Sequence, residues 1–516
     1  MTVGLTLGVG SCLLALTSTM NAPLAQGDTT DVSLIIGGSG IPIPPTEYID
    51  EAFTKFLEPN FNVGSTPPAL GLFTPEGLYP VYSQPGPGGG LVKQLPFETS
   101  VYQGEEILDK TILNDVNNLG EQVAVYGESQ SATISGLSMA DLAGKVPSGD
   151  VHFVLVGDPD TPFGGLLTRF AGSDVPGLLR PELNPPSIGV PFYGATPNDL
   201  FPTVIYTQQY DGFADFPRYP LDFLSDLNAF LGIEFVHPTY RDLSTTAISQ
   251  AAQLPTTGAT MTTYYAIPMS MEAGLNSQYI PLMQPLTEIP VIGKPIADLL
   301  QPDVMALVNF GYGSPYWGFS VGGPDGGYAN VTQPFGLFPS LQDFQQLPGA
   351  LFTGTETGIE NFVGDFTGTG PHPVSLGSMA LPDLATMMSQ TMMSQQPTPV
   401  PDLAGLSPVS LLTGLQDGVN NVVNTAITAT STAYSTLLPT ADIGLAAIAT
   451  LPLYDFDLAV DGLIEALSGD PAGIVDAVGL PIAADTALLT LLGGFEISAV
   501  ATQAVSIIGD LAGLIP

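Results

Sequence analysis

The chain has 516 residues, which is long enough for a large core and for more than one domain. Charged residues make up 11% and hydrophobic residues 44%, with 59 glycines and 49 prolines, so the chain is too apolar to be disordered and too rich in helix breakers to be all-helical. The 49 acidic residues against 9 basic ones give a net charge of -40, which argues against nucleic acid as a partner and against a basic patch that binds anionic membranes.

Residues 1–25 have the pattern of a secretory signal. An apolar run at 4–16 is followed by small residues and a cleavage site after Ala25, although a basic n-region is missing. We therefore expect a signal peptide or an N-terminal anchor, and a protein that is secreted or associated with the cell envelope. Cys12, the single cysteine, lies in this segment, so a mature chain would have no disulfide and no cysteine-based metal site. No later apolar run predicts a membrane span.

The first predicted strand ends in a glycine-rich loop. Residues 31–36 form an apolar run that Gly37-Gly38-Ser39-Gly40 follows. Glycines free backbone N–H groups to point at a developing negative charge, so this loop is either an ordinary turn or one side of an oxyanion hole. The spacing does not fit Gly-x-Gly-x-x-Gly and no lysine follows in the loop, which argues against a phosphate site.

The next predicted strand, at 123–126, leads into a serine motif, Gly127-Glu128-Ser129-Gln130-Ser131. A strand that turns sharply into a helix can hold such a serine with its hydroxyl exposed at the carboxyl edge of a sheet, and small neighbours permit the tight turn. Ser129 is therefore the candidate nucleophile. The backbone N–H of Gln130, with one from the loop at Ser39, is the candidate oxyanion hole.

Two further buried strands are predicted at 151–156 and 203–207. Segments with helical spacing occur between the strands, at 46–57, 98–113 and 221–231. Strands that are apolar throughout and alternate with helices predict an α/β fold with a mostly parallel sheet and helices on both faces. In such a sheet the loops at the carboxyl ends of the strands bind ligands.

The candidate base and acid come from few residues. Of the three histidines, His152 lies inside a predicted strand and His372 lies in a loop-rich tract beyond the apparent domain. His237 follows a helix-like run, where a general base would return to the sheet edge. Asp211 and Asp215 both follow the strand at 203–207; Asp211 is favoured because it is nearer the strand end, and Asp215 stays as the alternative acid. The chain order is nucleophile, acid, base.

These motifs together resemble the PE-PPE domain of mycobacterial serine hydrolases, a cutinase-like variant of the α/β-hydrolase fold. The resemblance rests on four stretches, 126–132, 156–159, 210–217 and 236–240, and covers roughly residues 33 to 312. A Gly-x-Ser-x-Gly/Ser pentapeptide is characteristic of that family, so Ser131 fits it. The resemblance implies esterase activity on short to medium acyl esters, or acyl transfer among envelope lipids. We expect the chain to lack the PE and PPE helical modules and therefore the partners of those modules.

The predicted organisation has four parts. They are a signal or anchor at 1–25, the PE-PPE-type hydrolase domain at 31–325, a linker rich in proline, glycine, serine and glutamine at 326–401, and an acidic, Ala/Leu-rich, mainly helical region at 402–516. The last part is either a small helical domain with a solvated acidic face or a lid or lipid-contacting surface that buries an apolar stripe in acyl chains.

The sequence is compatible with three functions. The leading prediction is a serine hydrolase that cleaves acyl esters through an acyl-enzyme at Ser129, with no cofactor and no metal. The alternative is an acyltransferase that uses the same triad to move acyl chains among envelope glycolipids. The third is an inactive hydrolase fold that acts as a surface or interaction protein, which the complete set of Ser129, Asp211 and His237 argues against. The expected partners are an acyl-ester or lipid substrate and peripheral lipid; the sequence predicts no oligomeric state.

Overall fold

The computed structural model describes residues 32–61, 69–81, 95–172, 180–269, 279–323, 326–374 and 437–512, together with positions 416 and 420. The predicted signal or anchor at 1–25, residues 375–401 of the predicted linker and the start of the C-terminal region therefore lie outside the described residues. The domain boundaries predicted there stay predictions.

The centre of the fold is a seven-stranded sheet in the order β2-β1-β3-β4-β5-β7-β6. Every neighbouring pair is parallel except β6 and β7, which are antiparallel. The strands are β1 (Val32–Ile35), β2 (Ala69–Gly71), β3 (Val123–Glu128), β4 (Val151–Val156), β5 (Thr203–Gln208), β6 (Ala252–Gln253) and β7 (Thr262–Ile267).

Helices connect the parallel strands and continue beyond the sheet. They are α1 (Thr46–Ala52), α2 (Phe97–Asn114), α3 (Gln130–Leu142), α4 (Leu166–Arg169), α5 (Phe223–Phe235), α6 (Thr245–Ser249), α7 (Gln284–Thr287), α8 (Gly293–Phe310), α9 (Leu341–Thr367), α10 (Leu451–Leu467) and α11 (Gly473–Ala512). π-Helical turns extend α1 over Phe53–Leu57 and α2 over Asp115–Leu119.

Alternate residues of β3 enter two different hydrophobic clusters. Val123 and Val125 belong to the cluster that also contains side chains of α2, α3 and the C-terminal helices, whereas Ala124 and Tyr126 belong to the cluster with α1 and its π-helical extension on the other face. Burial on both faces is the reason why the central strands are apolar throughout. The predicted α/β fold, with a mostly parallel sheet and a helical C-terminal region, is confirmed.

Part of the tract predicted as a linker is a helix. α9 begins at a capping box, in which Ser340 Oγ accepts from the Asp343 N–H and the Asp343 carboxylate accepts from the Ser340 N–H. α9 packs along α8, and a Cβ at Gly354 or Gly358 would collide with α8. Leu341–Thr367 is therefore helical within this tract, because glycines that favour a loop in the sequence here permit two helices to approach closely.

Two apolar helices end the described chain. One runs from Leu437 through α10 to Leu467 and the other is α11, and we call this pair the C-terminal hairpin. Leu437–Leu467 and Gly473–Ala501 are long and apolar enough to cross a membrane, which the prediction of no later span did not anticipate. In the most apolar 18-residue stretch of each helix, 28% and 39% of the stretch is buried within the fold. Side chains such as Leu458 and Leu480 belong to the main hydrophobic cluster.

Candidate active site

Ser129 lies in a strained turn between β3 and α3. Its backbone has φ 60° and ψ -119°, a region that residues with a side chain seldom adopt and that costs on the order of 1–3 kcal/mol. A Cβ at Gly127 would lie 2.7 Å from the Ser131 carbonyl oxygen, so the turn requires glycine there. This geometry is the nucleophile elbow that the motif predicts.

The hydroxyl of Ser131 stabilises this elbow. Ser131 Oγ accepts from the Glu128 N–H at 2.7 Å and lies 3.0 Å from the Glu128 carbonyl oxygen, to which it donates. The sequence predicted only that a small residue was needed at this position. The structure adds a hydrogen bond across the turn that glycine would not make.

The structure brings Ser129, His237 and Asp211 together. His237 lies directly after α5, and its Nε2 is 2.7 Å from Ser129 Oγ. Its Nδ1 is 2.9 Å from each carboxylate oxygen of Asp211. An ionised carboxylate only accepts, so Nδ1 carries the ring hydrogen and Nε2 is left to accept the serine proton.

Four protein groups donate to the fully buried carboxylate of Asp211. Besides His237, the N–H groups of Phe213 and Ala214 reach Oδ1 at 3.0 and 3.3 Å, and the Tyr240 hydroxyl donates to Oδ2 at 2.7 Å. The Tyr240 hydroxyl in turn accepts from the Gln208 N–H at 2.9 Å. Sequence reasoning did not assign a role to Tyr240; its position three residues after the histidine, in a 3₁₀ turn, was the signal available.

Asp215, the alternative acid, lies elsewhere. Its Oδ2 accepts from the Ser320 N–H at 2.9 Å, and its Oδ1 is 3.7 Å from an Arg169 nitrogen. Burial raises the pKa of Asp215 to about 7, against the opposing charge of Arg169. Asp215 therefore anchors the loop that contains Ser320, and Asp211 is the carboxylate that contacts the imidazole.

The surroundings of His237 set its proton affinity. Burial lowers the pKa of the imidazole, but the charge and hydrogen bond of Asp211 raise it, with a further contribution from Glu128. The net pKa is above the usual value for histidine. A general base with this pKa is neutral, and able to accept a proton, only on the alkaline side of that usual value.

Neither of the other histidines bonds to Ser129 in the described part of the chain. His152 lies in β4 and packs against the Phe61 ring, with centroids 4.8 Å apart. The Nδ1 of His372 lies 2.7 Å from Asp298 and 2.8 Å from the Tyr279 hydroxyl. The interpretation of His237 as the base therefore rests on its position as well as on elimination.

The two predicted oxyanion-hole residues are joined to each other. Ser39 Oγ donates to Gln130 Oε1 at 2.9 Å, and Gln130 Nε2 donates to Ser100 Oγ at 2.7 Å. Gln130 begins α3, so its N–H has no acceptor within the helix. A Cβ at Gly38 would lie 3.5 Å from Ser129 Cβ, which places this glycine loop directly beside the nucleophile.

A buried charged network lies behind the elbow, and sequence reasoning missed it. Glu128 Oε2 accepts from the hydroxyls of Tyr48 at 2.8 Å and Tyr126 at 3.0 Å, and it lies 3.5 Å from Arg241 Nε. The Arg241 guanidinium also lies 4.3 Å from the centroid of the Tyr48 ring. The network joins the strand before Ser129 to the turn that carries His237.

Two spaces meet at Ser129. One is an apolar cavity, part of it open to solvent, whose polar lining residues are Ser39, Ser129 and Gln130. The other is an open cleft that also reaches the charged or ionisable side chains of Glu234, His237 and Arg241. The apolar space suits a hydrocarbon chain, and the cleft with its polar groups suits a leaving or incoming hydroxyl compound.

One acidic group has metal-ligand spacing among the residues that the structure describes. Glu105, Asp109 and Asp141 each place one carboxylate oxygen within 4.8 Å of the others. Asp141 is exposed, and exposed acidic groups commonly cluster without an ion. We assign no ion to this group and no cofactor to the Ser129 site.

Comparison with known proteins gives the family. The PE-PPE domain model matches residues 68–313. Three similar proteins come from Mycobacterium tuberculosis: Uncharacterized PPE family protein PPE28 is 41% identical over 97% of this chain and 70% of its own length. Esterase PE16 is 35% identical over 68% of this chain and 60% of its own length. PE family protein PE3 is 34% identical over 63% of this chain and 62% of its own length. The chain belongs to the PE-PPE domain family.

Proposed function

We propose that this protein is a serine hydrolase that cleaves carboxylic esters through an acyl-enzyme. The observation that carries the proposal is the continuous chain of short contacts from Ser129 Oγ through His237 to Asp211. The name of the relative Esterase PE16 supports the same reaction class. That name gives no substrate, so the acyl and alcohol parts of the ester are inferred from this chain alone.

The mechanism follows from the roles of the side chains. His237 Nε2 takes the proton of Ser129 as the oxygen attacks the ester carbonyl, and the Nδ1–H bond to Asp211 stabilises the imidazolium that forms. His237 then gives this proton to the departing alkoxide, which leaves the acyl group on Ser129. A water molecule repeats the sequence, with His237 as base, and releases the acid.

The oxyanion that forms on the ester carbonyl needs hydrogen-bond donors in place beforehand. We propose the backbone N–H groups of Gln130 and Ser39 for this role, since the Ser39–Gln130 side-chain bond holds loop and helix together beside Ser129. Loss of one such donor typically costs about 3 kcal/mol of transition-state stabilisation. Side-chain substitution does not remove these backbone N–H groups. Their donation to the oxyanion depends instead on where the loop that carries Ser39 lies.

The second candidate is acyl transfer, in which a hydroxyl compound replaces water. The observation that favours it is the open cleft beside His237, which has room for an acceptor larger than water. The same Ser129, His237 and Asp211 would serve, and only the second half of the reaction would differ. We also propose a secreted or envelope location, because a lipid or acyl-ester substrate would be met there.

Hydrolysis of p-nitrophenyl esters tests the proposal. The Ser129→Ala variant should lose activity and should lose labelling by a fluorophosphonate, whereas Ser135→Ala should keep both. Ser135 is a matched control because it lies in the same helix, and its buried hydroxyl donates to the Ser131 carbonyl oxygen of that helix. Labelling without hydrolysis, together with ester formation when an alcohol is added, would favour acyl transfer. Absence of labelling and of activity in the unmodified chain would refute both enzymatic functions and favour an inactive surface protein.

A further inference from the structure

One wall of the apolar cavity beside Ser129 comes from the C-terminal hairpin. This wall lies outside the residues 68–313 that match the PE-PPE domain model. Four of its side chains lie along one face of α11, one comes from the π-helical turn that leads into α10, and one is the first residue of α10. They are Ala446, Leu451, Leu488, Leu491, Leu492 and Phe495.

The rest of the lining is also apolar. It includes Leu166 and Leu167 of α4 and three residues of the following loop, Leu183, Ile188 and Phe192. The polar residues of the lining are Ser39, Ser129 and Gln130, which lie together at the candidate nucleophile. A cavity with hydrogen-bonding groups beside Ser129 and hydrocarbon over the rest of its lining suits a molecule of the same pattern, which is the carbonyl and tail of an acyl ester.

Polar contacts hold the hairpin against the hydrolase core. Arg180, with 7% of its side chain exposed, lies 3.5 Å from Glu465 of α10 and 3.6 Å from Asp476 of α11. At the other end, the hydroxyls of Ser187 and Tyr79 donate to the carbonyl oxygen and the carboxylate of Asp442, at 2.9 and 3.0 Å. The hairpin is therefore docked by buried charge and hydrogen bonds as well as by apolar packing.

Phe495 lies where the cavity meets the cleft, and it lines both. Its ring stacks on Phe213 with centroids 6.5 Å apart, and Phe213 lies edge to face on the His237 ring at 4.8 Å. Phe495 also contacts Phe230 of α5 at 5.6 Å, and a Cβ at Gly494 would collide with that same ring. α11 thus approaches the catalytic histidine through a single intervening side chain.

We propose that the C-terminal hairpin completes an acyl-binding site and that Leu488, Leu491, Leu492 and Phe495 determine the length of the acyl chain that the enzyme accepts. The wall from Leu488 to Phe495 rises about 10 Å along α11, which is the length of an extended chain of roughly eight carbons. The inferred ester therefore has an acyl chain of about the length of this wall. This inference rests on the proposed function, because the cavity opens at Ser129.

Substitutions at Leu491 test the proposal in both directions. Leu491 is 4% exposed and lines the cavity, whereas its near neighbour Leu489 is 48% exposed on the opposite side of α11 and serves as the matched control. Leu491→Trp fills the cavity, and each methylene that it displaces should lower kcat/KM by about fourfold. For two to three methylenes we expect the ratio of kcat/KM on p-nitrophenyl octanoate to that on the acetate to fall by about 15- to 60-fold.

A second variant at Leu491 tests the same wall in case tryptophan disturbs folding. Leu491→Ala enlarges the cavity and should move the optimum to longer chains, while Leu489→Trp should leave the chain-length profile unchanged. A uniform loss on acetate and octanoate, or an unchanged profile in both Leu491 variants, would overturn the inference.

A binding measurement separates this inference from the proposed function. The Ser129→Ala variant of the full chain should bind octanoic acid in titration calorimetry, and Leu491→Trp in that background should weaken binding by at least about tenfold. If the ester assay finds no dependence on Ser129 but this binding pattern holds, the proposed function fails and the acyl site stands. If Ser129 is required for hydrolysis but the fatty acid does not bind, the acyl-site inference fails alone.

Discussion

Asp211→Asn changes an acceptor into a group that both donates and accepts. The amide oxygen should occupy the Oδ1 position, because the N–H groups of Phe213 and Ala214 point there. The amide nitrogen then faces His237 Nδ1 and the Tyr240 hydroxyl at the Oδ2 position. A donor in that place makes Nδ1 the acceptor and moves the ring hydrogen to Nε2, where the imidazole can no longer take the proton of Ser129.

The expected loss is large. The same replacement in the triad of a serine protease lowers kcat by about 10⁴-fold through the wrong tautomer, and we expect a similar loss here. This corresponds to about 5 kcal/mol of transition-state stabilisation. KM should change little, because Asp211 is fully buried and lines neither the cavity nor the cleft.

The assay is p-nitrophenyl ester hydrolysis, with the rate of fluorophosphonate labelling of Ser129 as a second readout. Asp215→Asn is the matched control, since it changes the other buried aspartate of the same loop. We expect it to lower the thermal stability, through its contacts with Arg169 and Ser320, and to leave kcat of the folded protein nearly unchanged. An Asp211→Asn variant that keeps more than a tenth of kcat, or an Asp215→Asn variant that is equally inactive while folded, would refute this assignment of the acid.

Three further outcomes are expected. Since the neighbours of His237 raise its pKa above 6.5, kcat/KM should rise with pH through an apparent pKa above that value; a midpoint below 6 would contradict it. Gly494→Ala should lower the melting temperature and long-chain ester activity because its Cβ meets the Phe230 ring, whereas Gly493→Ala, with open space, should be neutral or stabilising. Burial raises the pKa of Glu76 to about 8, and burial also raises the pKa of several other buried acids. The folded state therefore holds protons that the unfolded state releases. The melting temperature should fall between pH 5.5 and 8.5, and a rise would contradict this.

The strands β1, β3, β4 and β5 and the order of the site residues could be predicted because their signals are local, whereas β2, β6 and β7 were not predicted. Each of those four strands is mainly apolar, and each candidate group follows closely on a strand or helix. The choice between Asp211 and Asp215 could not be derived with certainty in this way. Both carboxylates occupy one loop and both are buried, and only the tertiary contacts of Arg169 with one and His237 with the other separate them.

The regions that sequence reasoning treated as peripheral depend on non-local contacts. α9 is rich in glycine, which lowers its helix propensity, yet Gly354 and Gly358 permit the close approach to α8 that stabilises it. In the C-terminal hairpin, the apolar spacing predicts helices but not which faces meet the hydrolase core. Its docking depends on Arg180, which lies far from the hairpin in the chain, and no periodicity in the hairpin itself reveals that partner.

The arrangement around Ser129 separates two questions that the sequence leaves joined. In the proposed reaction the apolar cavity would contact only the acyl part of a substrate, and an acyl-enzyme on Ser129 would be common to hydrolysis and transfer. A change in the cavity wall at α11 should therefore alter chain-length preference equally for both reactions. The choice between water and a larger acceptor would be made in the cleft that Glu234, His237 and Arg241 line, after the acyl chain is held. Chain-length specificity and acceptor specificity should accordingly change independently, and an assay that measures only total ester consumed reports the first and not the second.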